Sequence, residues 1–367
     1  MHRGLYAEKS TYKFDIQKDR NSILIHDMII RSKVPLRLGL AGGGTDVSPF
    51  SDIYGGAILN ATVNMYAYTT LEPLDNGQIV FENPAKEELG ETLPASDTLT
   101  PEGYFILHKG VYNRIVKQFT HKPLSFKMST FVDAPPGSGL GTSSTLVVSI
   151  LGAFVEWLKL PLGEYDIAKL AYEIERIDLQ MAGGKQDQYA ATFGGFNYME
   201  FIGDNVIVNP LRIRQRYLDE LAHNLVLYHT ATSHVSAKII EEQQKNVTAK
   251  KQKSIDAMLA LKEQAFHMKE VLLKGDLDAI GKILDEGWQH KKQMADSVSN
   301  DFIDEVYAAA IQAGATGGKI SGAGGGGFMF FYCPSNARYK VIDRLAEFGG
   351  QSKRYEFVTE GLKTWTM

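Results

Sequence analysis

The sequence predicts a two-domain α+β protein. Its 367 residues exceed what one compact core usually holds. Strand-like alternation and helical periodicity mix through the first half. The second half is dominated by long helical periodicity and closes on a short α/β pair. The expected division is an extension over 1–27, an N-terminal domain over 28–195 and a C-terminal domain over 196–367.

Taken in order, residues 1–27 are polar, charged and weakly periodic. They are expected to lie outside the core, either as a surface appendage or because an upstream start codon was chosen. A strand run opens at Met28 and continues to Val34. Residues 57–74 are rich in Thr, Tyr and Val and partly alternate, as a half-buried strand does. Phe105, His108, Tyr112, Ile115, Val116 and Phe119 recur at helical spacing, and 124–132 alternate as another strand. Residues 145–159 are apolar on nearly every side, the pattern of a central buried helix. Ile167, Leu170, Ile174 and Ile177 form the stripe of the next one. Strand-like segments near 196–209 and 224–230 are followed by helical periodicity over 236–296 and a helix over 301–313. A Gly-rich loop, a Phe-rich strand and a last pair over 336–348 and 353–358 complete the chain.

Composition excludes several classes. Hydrophobic residues make up 44% and charged residues 22%, the balance of an ordinary globular protein. A net charge of -4 gives no basic field for nucleic acid. No apolar stretch approaches the ~20 residues that cross a bilayer, and the N-terminus lacks an apolar signal core, so no membrane is expected and the cytoplasm is the simplest compartment. The single cysteine, Cys333, excludes an intrachain disulfide and a cysteine zinc site; it is expected as a buried thiol.

Chemistry can gather at three glycine-rich segments. Pro135-Pro136-Gly137-Ser138-Gly139-Leu140-Gly141-Thr142-Ser143-Ser144-Thr145 joins a strand to a strongly helical run. Its glycines let backbone approach a ligand without a Cβ clash, and the helix start adds free N–H groups and a positive dipole end, together a phosphate site. A turn that merely caps the helix is the alternative reading of the glycines alone. It is not a Walker A loop, because no Lys-Ser/Thr follows at the required spacing. Around Gly42-Gly43-Gly44, after the first strand, Arg37 could pair with phosphate or with a carboxylate, and Asp46 could accept from sugar hydroxyls. In 317–327, four consecutive glycines from Gly324 each cost roughly 0.5–1 kcal/mol relative to alanine, which calls for a close-approach reason. Two carboxylates lie between: Glu175 on the flank of the apolar stripe, and Asp187 just past the Gly183-Gly184 break. No segment has the G-x-G-x-x-G pattern between strand and helix with a suitably placed acid, which disfavours a dinucleotide-dependent oxidoreductase.

In this order the segments resemble the three motifs of the GHMP kinases, the superfamily of galactokinase, homoserine kinase, mevalonate kinase and phosphomevalonate kinase, over essentially all of 28–367. The resemblance implies a two-lobed fold, with a ribosomal-protein-S5-like N-terminal lobe that binds ATP and a ferredoxin-like C-terminal lobe. Pro35, Arg37 and Asp46 keep the galactokinase spacing, but Gly42-Gly43-Gly44 departs from the Gly-Glu-His found there. The run Gly42–Ser48, Tyr54-Gly55-Gly56 near Asn60, Trp288, Lys291-Lys292 and 314–319 resemble the D-glycero-D-manno-heptose 7-phosphate kinases. Similar sequences occur in the kinase portion of fucokinases.

By the same resemblance, Asp187 matches the catalytic aspartate and Arg37 its basic neighbour. Glu175 and Ser143 match the Mg²⁺ ligands. Pro136, Gly137, Ser138, Gly139, Leu140, Gly141, Thr142, Ser143 and Ser144 would cradle the phosphates of ATP. Asp46, Gly43, Gly44, Thr45, Lys185, Gly324 and Gly325 would face the sugar. ATP and Mg²⁺ are the implied cofactors and a sugar phosphate the implied partner. The phosphate on that sugar needs a basic clamp, for which Lys185, Lys291, Lys292 and Lys319 are candidates. The implied reaction gives heptose 1,7-bisphosphate, an early step towards a nucleotide-activated heptose for bacterial surface glycans. The rival readings are a kinase of the same fold acting on fucose, galactose or a uronic acid, and a catalytically silent sensor; oligomeric state is not specified.

Overall fold

The computed structural model describes residues 28–232 and 236–367. The extension expected over 1–27 lies outside the described residues. Strand β1 (Ile30–Ala41) is longer than the run that announced it. Leu36, Leu38 and Leu40 alternate into a core shared with the C-terminal lobe, and their burial keeps 35–41 extended. A register shift between Pro35 and Leu36 accommodates the proline. Much of the segment around Arg37 therefore lies within the first strand, where the sequence reading set it after the strand.

Helix α1 (Phe50–Tyr54), β2 (Gly56–Pro73), β3 (Gln78–Glu82), β4 (Glu91–Pro94), α2 (Ile106–Ile115) and β5 (Phe126–Val132) follow. Next come α3 (Thr142–Leu158), α4 (Glu164–Glu173), α5 (Gln186–Phe193), β6 (Phe196–Ile202) and β7 (Asn205–Pro210). Helix α3 packs on β1 and β2 and is flanked by α2, α4 and α5, which explains why nearly all its faces are apolar. After α4 the chain makes a wider π-type turn over Ile174–Asp178. That turn breaks the helical register: Ile177, read as part of the stripe, is 61% exposed, whereas Glu175 is turned inward at 1%.

The C-terminal lobe begins with α6 (Gln215–Asn224) and β8 (Leu225–His229), then α7 (Ser236–Thr248), α8 (Gln252–Lys274), α9 (Ala279–Lys291) and α10 (Asp301–Gln312). It ends with β9 (Gly317–Ile320), β10 (Phe328–Tyr332), α11 (Ala337–Ala346), β11 (Gln351–Lys353) and β12 (Lys363–Thr366). Strands β11-β8-β10-β9 form a four-stranded antiparallel sheet in the β-α-β-β-α-β plan of ferredoxin-like folds, with extra helices after its first strand. Residues 317–320, read as loop, are its strand β9. The strand expected over 353–358 is shorter and earlier, and leaves only an isolated bridge between Val63 and Phe357.

The other sheet has eight strands, ordered β12-β1-β2-β5-β3-β4, with β6 paired to β2 and β7 to β6. The sheets therefore do not divide at residue 195. Gly194 and Gly195 turn the chain back so that β6 pairs with the buried first part of β2, and β12 returns to the edge beside β1. A single apolar cluster joins Leu36, Leu38 and Leu140 to Leu227, Leu284, Phe328 and Phe330, fixing one lobe against the other.

Candidate active site

A cleft of about 430 Å³ opens where the end of β1, the loop before α3, the π-type turn, α7 and the C-terminal ends of α9 and β9 converge. Its centre is an ion pair. Arg37 projects from β1, and its Nε and Nη2 reach Asp187 Oδ1 at 2.8 and 2.7 Å. Its Nη1 donates to the carbonyl of Gly139 and faces Ser321 Oγ. One guanidinium thus ties the first glycine segment, the loop before α3 and the start of α5 together.

Asp187 sits in the first turn of α5. Asp46 anchors that helix: its Oδ2 accepts from the Gln186 N–H at 2.9 Å. A Cβ on Gly184 would come within 1.9 Å of the same oxygen, so only glycine lets the two segments meet. Burial pushes the Asp46 carboxyl above its usual range and the charge of Asp187 adds to this, while the Gln186 N–H and Arg37 act in the opposite direction.

The loop before α3 is held from behind by the third glycine segment. Gly139 has φ +81°, and a Cβ there would lie 2.3 Å from the Ser321 carbonyl. Ser321 Oγ donates to the Gly139 carbonyl at 2.8 Å, and the Phe328 N–H donates to the Ser138 carbonyl at 2.8 Å. Gly137, Gly139, Gly141, Thr142, Ser143 and Ser144 line the cleft. Beside them Ser143 Oγ donates to Glu175 Oε1 at 3.0 Å, and Gln188 Nε2 donates to Glu175 Oε2 at 2.5 Å. A Cβ on Gly141 would stand 3.2 Å from the Asp187 carboxylate. A helix start with exposed backbone, a carboxylate beside a hydroxyl and a second, Arg-held carboxylate can together hold a polyphosphate and orient an acceptor hydroxyl.

Residues 107–195 match the GHMP kinases N terminal domain, and 268–351 match the GHMP kinases C terminal. Over 337 residues, covering 92% of this chain and 98% of the relative, the sequence is 49% identical to a D-glycero-alpha-D-manno-heptose 7-phosphate kinase of Campylobacter jejuni. The chain is a GHMP kinase. Its activity is that of an ATP-dependent sugar kinase. The crystal structure of a D-glycero-D-manno-heptose 1-phosphate kinase from Bacteroides thetaiotaomicron aligns with a TM-score of 0.78 at 46% identity, over 92% of this chain and 98% of that one. A galactokinase of Lactococcus lactis, crystallised with galactose, is 15% identical with a TM-score of 0.74 over 91% and 95% of the two chains, and shares the fold.

In this GHMP kinase several residues singled out from sequence face away from the cleft. Pro136 is exposed, Leu140 lies in the shared core, and Ser138 is buried with its hydroxyl unpartnered. Thr45 is spent on backbone: its Oγ1 faces the carbonyls of Gly42 and Ala57 at 2.8 and 3.0 Å and accepts from the Ala57 N–H at 3.1 Å. Lys185 turns to the Gly203 carbonyl at 2.6 Å and to Asp52 at 3.6 Å. A Cβ on Gly324 would lie 2.6 Å from the Val298 carbonyl, to which the Gly325 N–H donates at 2.9 Å. Lys292 pairs with Asp304 at 3.6 Å. Gly322 and Ala323 reach the cleft instead, as do Gly43, Gly44, Lys291 and Lys319.

Sequence reasoning did not single out Gln186, Gln243, Arg176 or Ser321, all of them in or beside the cleft. Gln186 adjoins Asp187 and could have been found from that neighbour. Gln243 lies in a helical run rich in Lys, Glu and Gln, where nothing marks one glutamine from the rest.

Proposed function

We propose that this kinase transfers the γ-phosphoryl group of ATP to the anomeric hydroxyl of D-glycero-D-manno-heptose 7-phosphate, giving heptose 1,7-bisphosphate. The observation that carries the reading is the Arg37–Asp187 pair beside the Gly139–Gly141 backbone in a chain 49% identical to a heptose 7-phosphate kinase. Asp187 accepts the proton of the anomeric hydroxyl. The freed oxygen attacks the γ-phosphorus, the bond from that phosphorus to the bridging oxygen breaks, and ADP leaves with the electron pair. Arg37 fixes the Asp187 carboxylate in one orientation and balances its charge. Backbone N–H groups at 137–144 hold the phosphates, where fixed dipoles need no reorganisation during transfer. The reaction draws on ATP and is assigned to the cytoplasm.

Mg²⁺ fits Glu175 and Ser143. Among the described residues no group of three or more His, Cys, Asp or Glu is placed to hold a metal. One carboxylate and one hydroxyl side by side in the cleft suit an ion that takes its other ligands from phosphates and water. When bound, the ion supplies neutralisation of charge on the ATP phosphates.

A second reading has the acceptor phosphate at carbon 1, as in the name of the 46% identical Bacteroides kinase. The test is ADP release with Mg·ATP and heptose 7-phosphate, heptose 1-phosphate, unphosphorylated heptose, fucose and galactose. Turnover confined to the 7-phosphate is expected. Preference for the 1-phosphate would select the second reading, and equal use of a plain hexose would discard both.

A further inference from the structure

The far end of the cleft holds donors without acceptors. Lys291, at the C-terminus of α9, is 2% exposed, lines the cleft and has no hydrogen-bond or ion-pair partner among the described residues. Gln243, on α7, is also 2% exposed, and its amide nitrogen is buried without a partner. Lys319, on β9, spends one of its three donors on the Gly39 carbonyl at 2.9 Å. The Gln186 amide nitrogen, beside Gly39, is unpartnered as well.

Strand β1 serves as a ruler for their order. Arg37 and Gly39 share a face and stand about 7 Å apart along the strand. The Nζ atoms of Lys291 and Lys319 both lie 3.8 Å from where a Gly43 Cβ would be, and Gln243 Oε1 lies 3.6 Å from the corresponding point on Gly44. Arg37 meets the Gly139 loop and Asp187, Lys319 meets Gly39 two residues further along β1, and Lys319 and Lys291 come together at Gly43 with Gln243 beside Gly44.

We propose that Lys291, Lys319 and the Gln243 amide form the seat for a phosphate group carried by the acceptor sugar. The inference rests on the reading that the acceptor is a sugar phosphate. Buried donors left unpaired are costly, and clustered buried ammonium groups more so, unless a ligand completes them. The matching ligand is rich in acceptors and anionic, and a phosphate offers three terminal oxygens with charge. A sugar hydroxyl brings a donor of its own and leaves the charge unmatched. The surroundings of Lys291 support the geometry: burial first and the charge of Arg37 second lower its pKa to about 8, and Asp46 opposes them. Lys319 is pushed well down by burial, Lys291 and Arg37. An anion between the two ammonium groups reverses both penalties.

The test is steady-state kinetics on the full chain with heptose 7-phosphate and ATP varied separately, for wild type, Lys291→Met, Lys291→Arg and Gln243→Leu. One or two lost charge-assisted hydrogen bonds predict a rise of roughly 10- to 100-fold in KM for heptose 7-phosphate in Lys291→Met. KM for ATP is expected to stay within about 3-fold. Lys291→Arg recovers part of the loss, and Gln243→Leu gives a smaller rise of the same selective kind. A fall in kcat at unchanged acceptor KM would put Lys291 on the transferring phosphoryl group and overturn the seat, as would an equal rise in both KM values. Failure of the underlying reading shows separately, in wild type alone: it would then use unphosphorylated heptose as well as heptose 7-phosphate. Thermal unfolding of each variant checks that the KM changes come from folded protein.

Discussion

At the end of the cleft assigned to ATP the charged side chains Arg37, Asp187 and Glu175 all have protein partners, whereas at the acceptor end three buried side chains carry donors with none. Arg37 joins Asp187 to Gly139, and Ser143 and Gln188 hold Glu175. Lys291, Gln243 and Gln186 have unpaired nitrogens. Groups that must act in one geometry are preorganised by the protein itself. Groups that recognise a ligand stay unpaired until it arrives, and the empty protein bears the loss of stability. Removing a side chain should therefore have opposite consequences at the two ends: lost turnover at one, lost acceptor affinity with gained stability at the other.

The largest effect is expected from Asp187→Asn, which keeps the shape and removes the base. Its kcat should fall roughly 10²- to 10⁴-fold with KM for ATP little changed, measured by single-turnover phosphoryl transfer. Full activity in that variant would remove Asp187 from the reaction. Glu175→Gln should lower kcat by roughly 10- to 100-fold at fixed Mg²⁺ and raise the Mg²⁺ concentration needed for half-maximal rate. An unchanged Mg²⁺ dependence would detach Glu175 from the metal.

Lys291→Met tests the other end through stability. The folded-state pKa of Lys291, about 8, lies below its ordinary value of 10.5. Between those values the unfolded chain binds a proton that the folded chain does not, so this lysine makes wild-type stability rise with pH across that window. The gain is on the order of 3 kcal/mol at ~1.4 kcal/mol per pH unit. Lys291→Met should be more stable than wild type at pH 7, and the advantage should fade as pH approaches 10.5. Urea unfolding of both proteins at pH 7 and pH 10 reads this; a pH-independent difference would contradict the unpaired-ammonium account.

The smallest effects sharpen the comparison from outside the cleft. Thr45→Val should lose about 1–3 kcal/mol of stability, because the Ala57 N–H loses its hydroxyl partner, with acceptor KM unchanged. Lys185→Met should leave both KM values where they were, since its ammonium is turned to Gly203 and Asp52. A selective rise in acceptor KM in either variant would return that residue to the site.

The same contrast explains what was legible in the sequence. The buried helix α3 was readable from its periodicity, and the two lobes and the residues that meet as Arg37–Asp187 and Ser143–Glu175 from the resemblance of the motifs to those of the GHMP kinases. Glycine close approaches were readable as such, but not their partners. Gly324 and Gly325 approach the turn at Val298, and Gly139 packs on Ser321, contacts between segments distant in the chain. The inward turn of Glu175 depends on a π-type turn that fixed helical spacing does not anticipate. The return of β6 and β12 to the first sheet reflects pairing across long separations, which no local pattern records. Choosing among the four lysines needed packing: α9 and β9 deliver Lys291 and Lys319 to one point, while Lys185 and Lys292 are carried away from it.

We place the new phosphate on the anomeric oxygen of the acceptor, and ³¹P NMR of the product reads that position. Purified kinase, Mg·ATP and heptose 7-phosphate should yield a sugar with two phosphorus resonances, one of them coupled to the anomeric proton. A product with no anomeric phosphorus, or ATP turnover that leaves heptose 7-phosphate unchanged, would contradict the account.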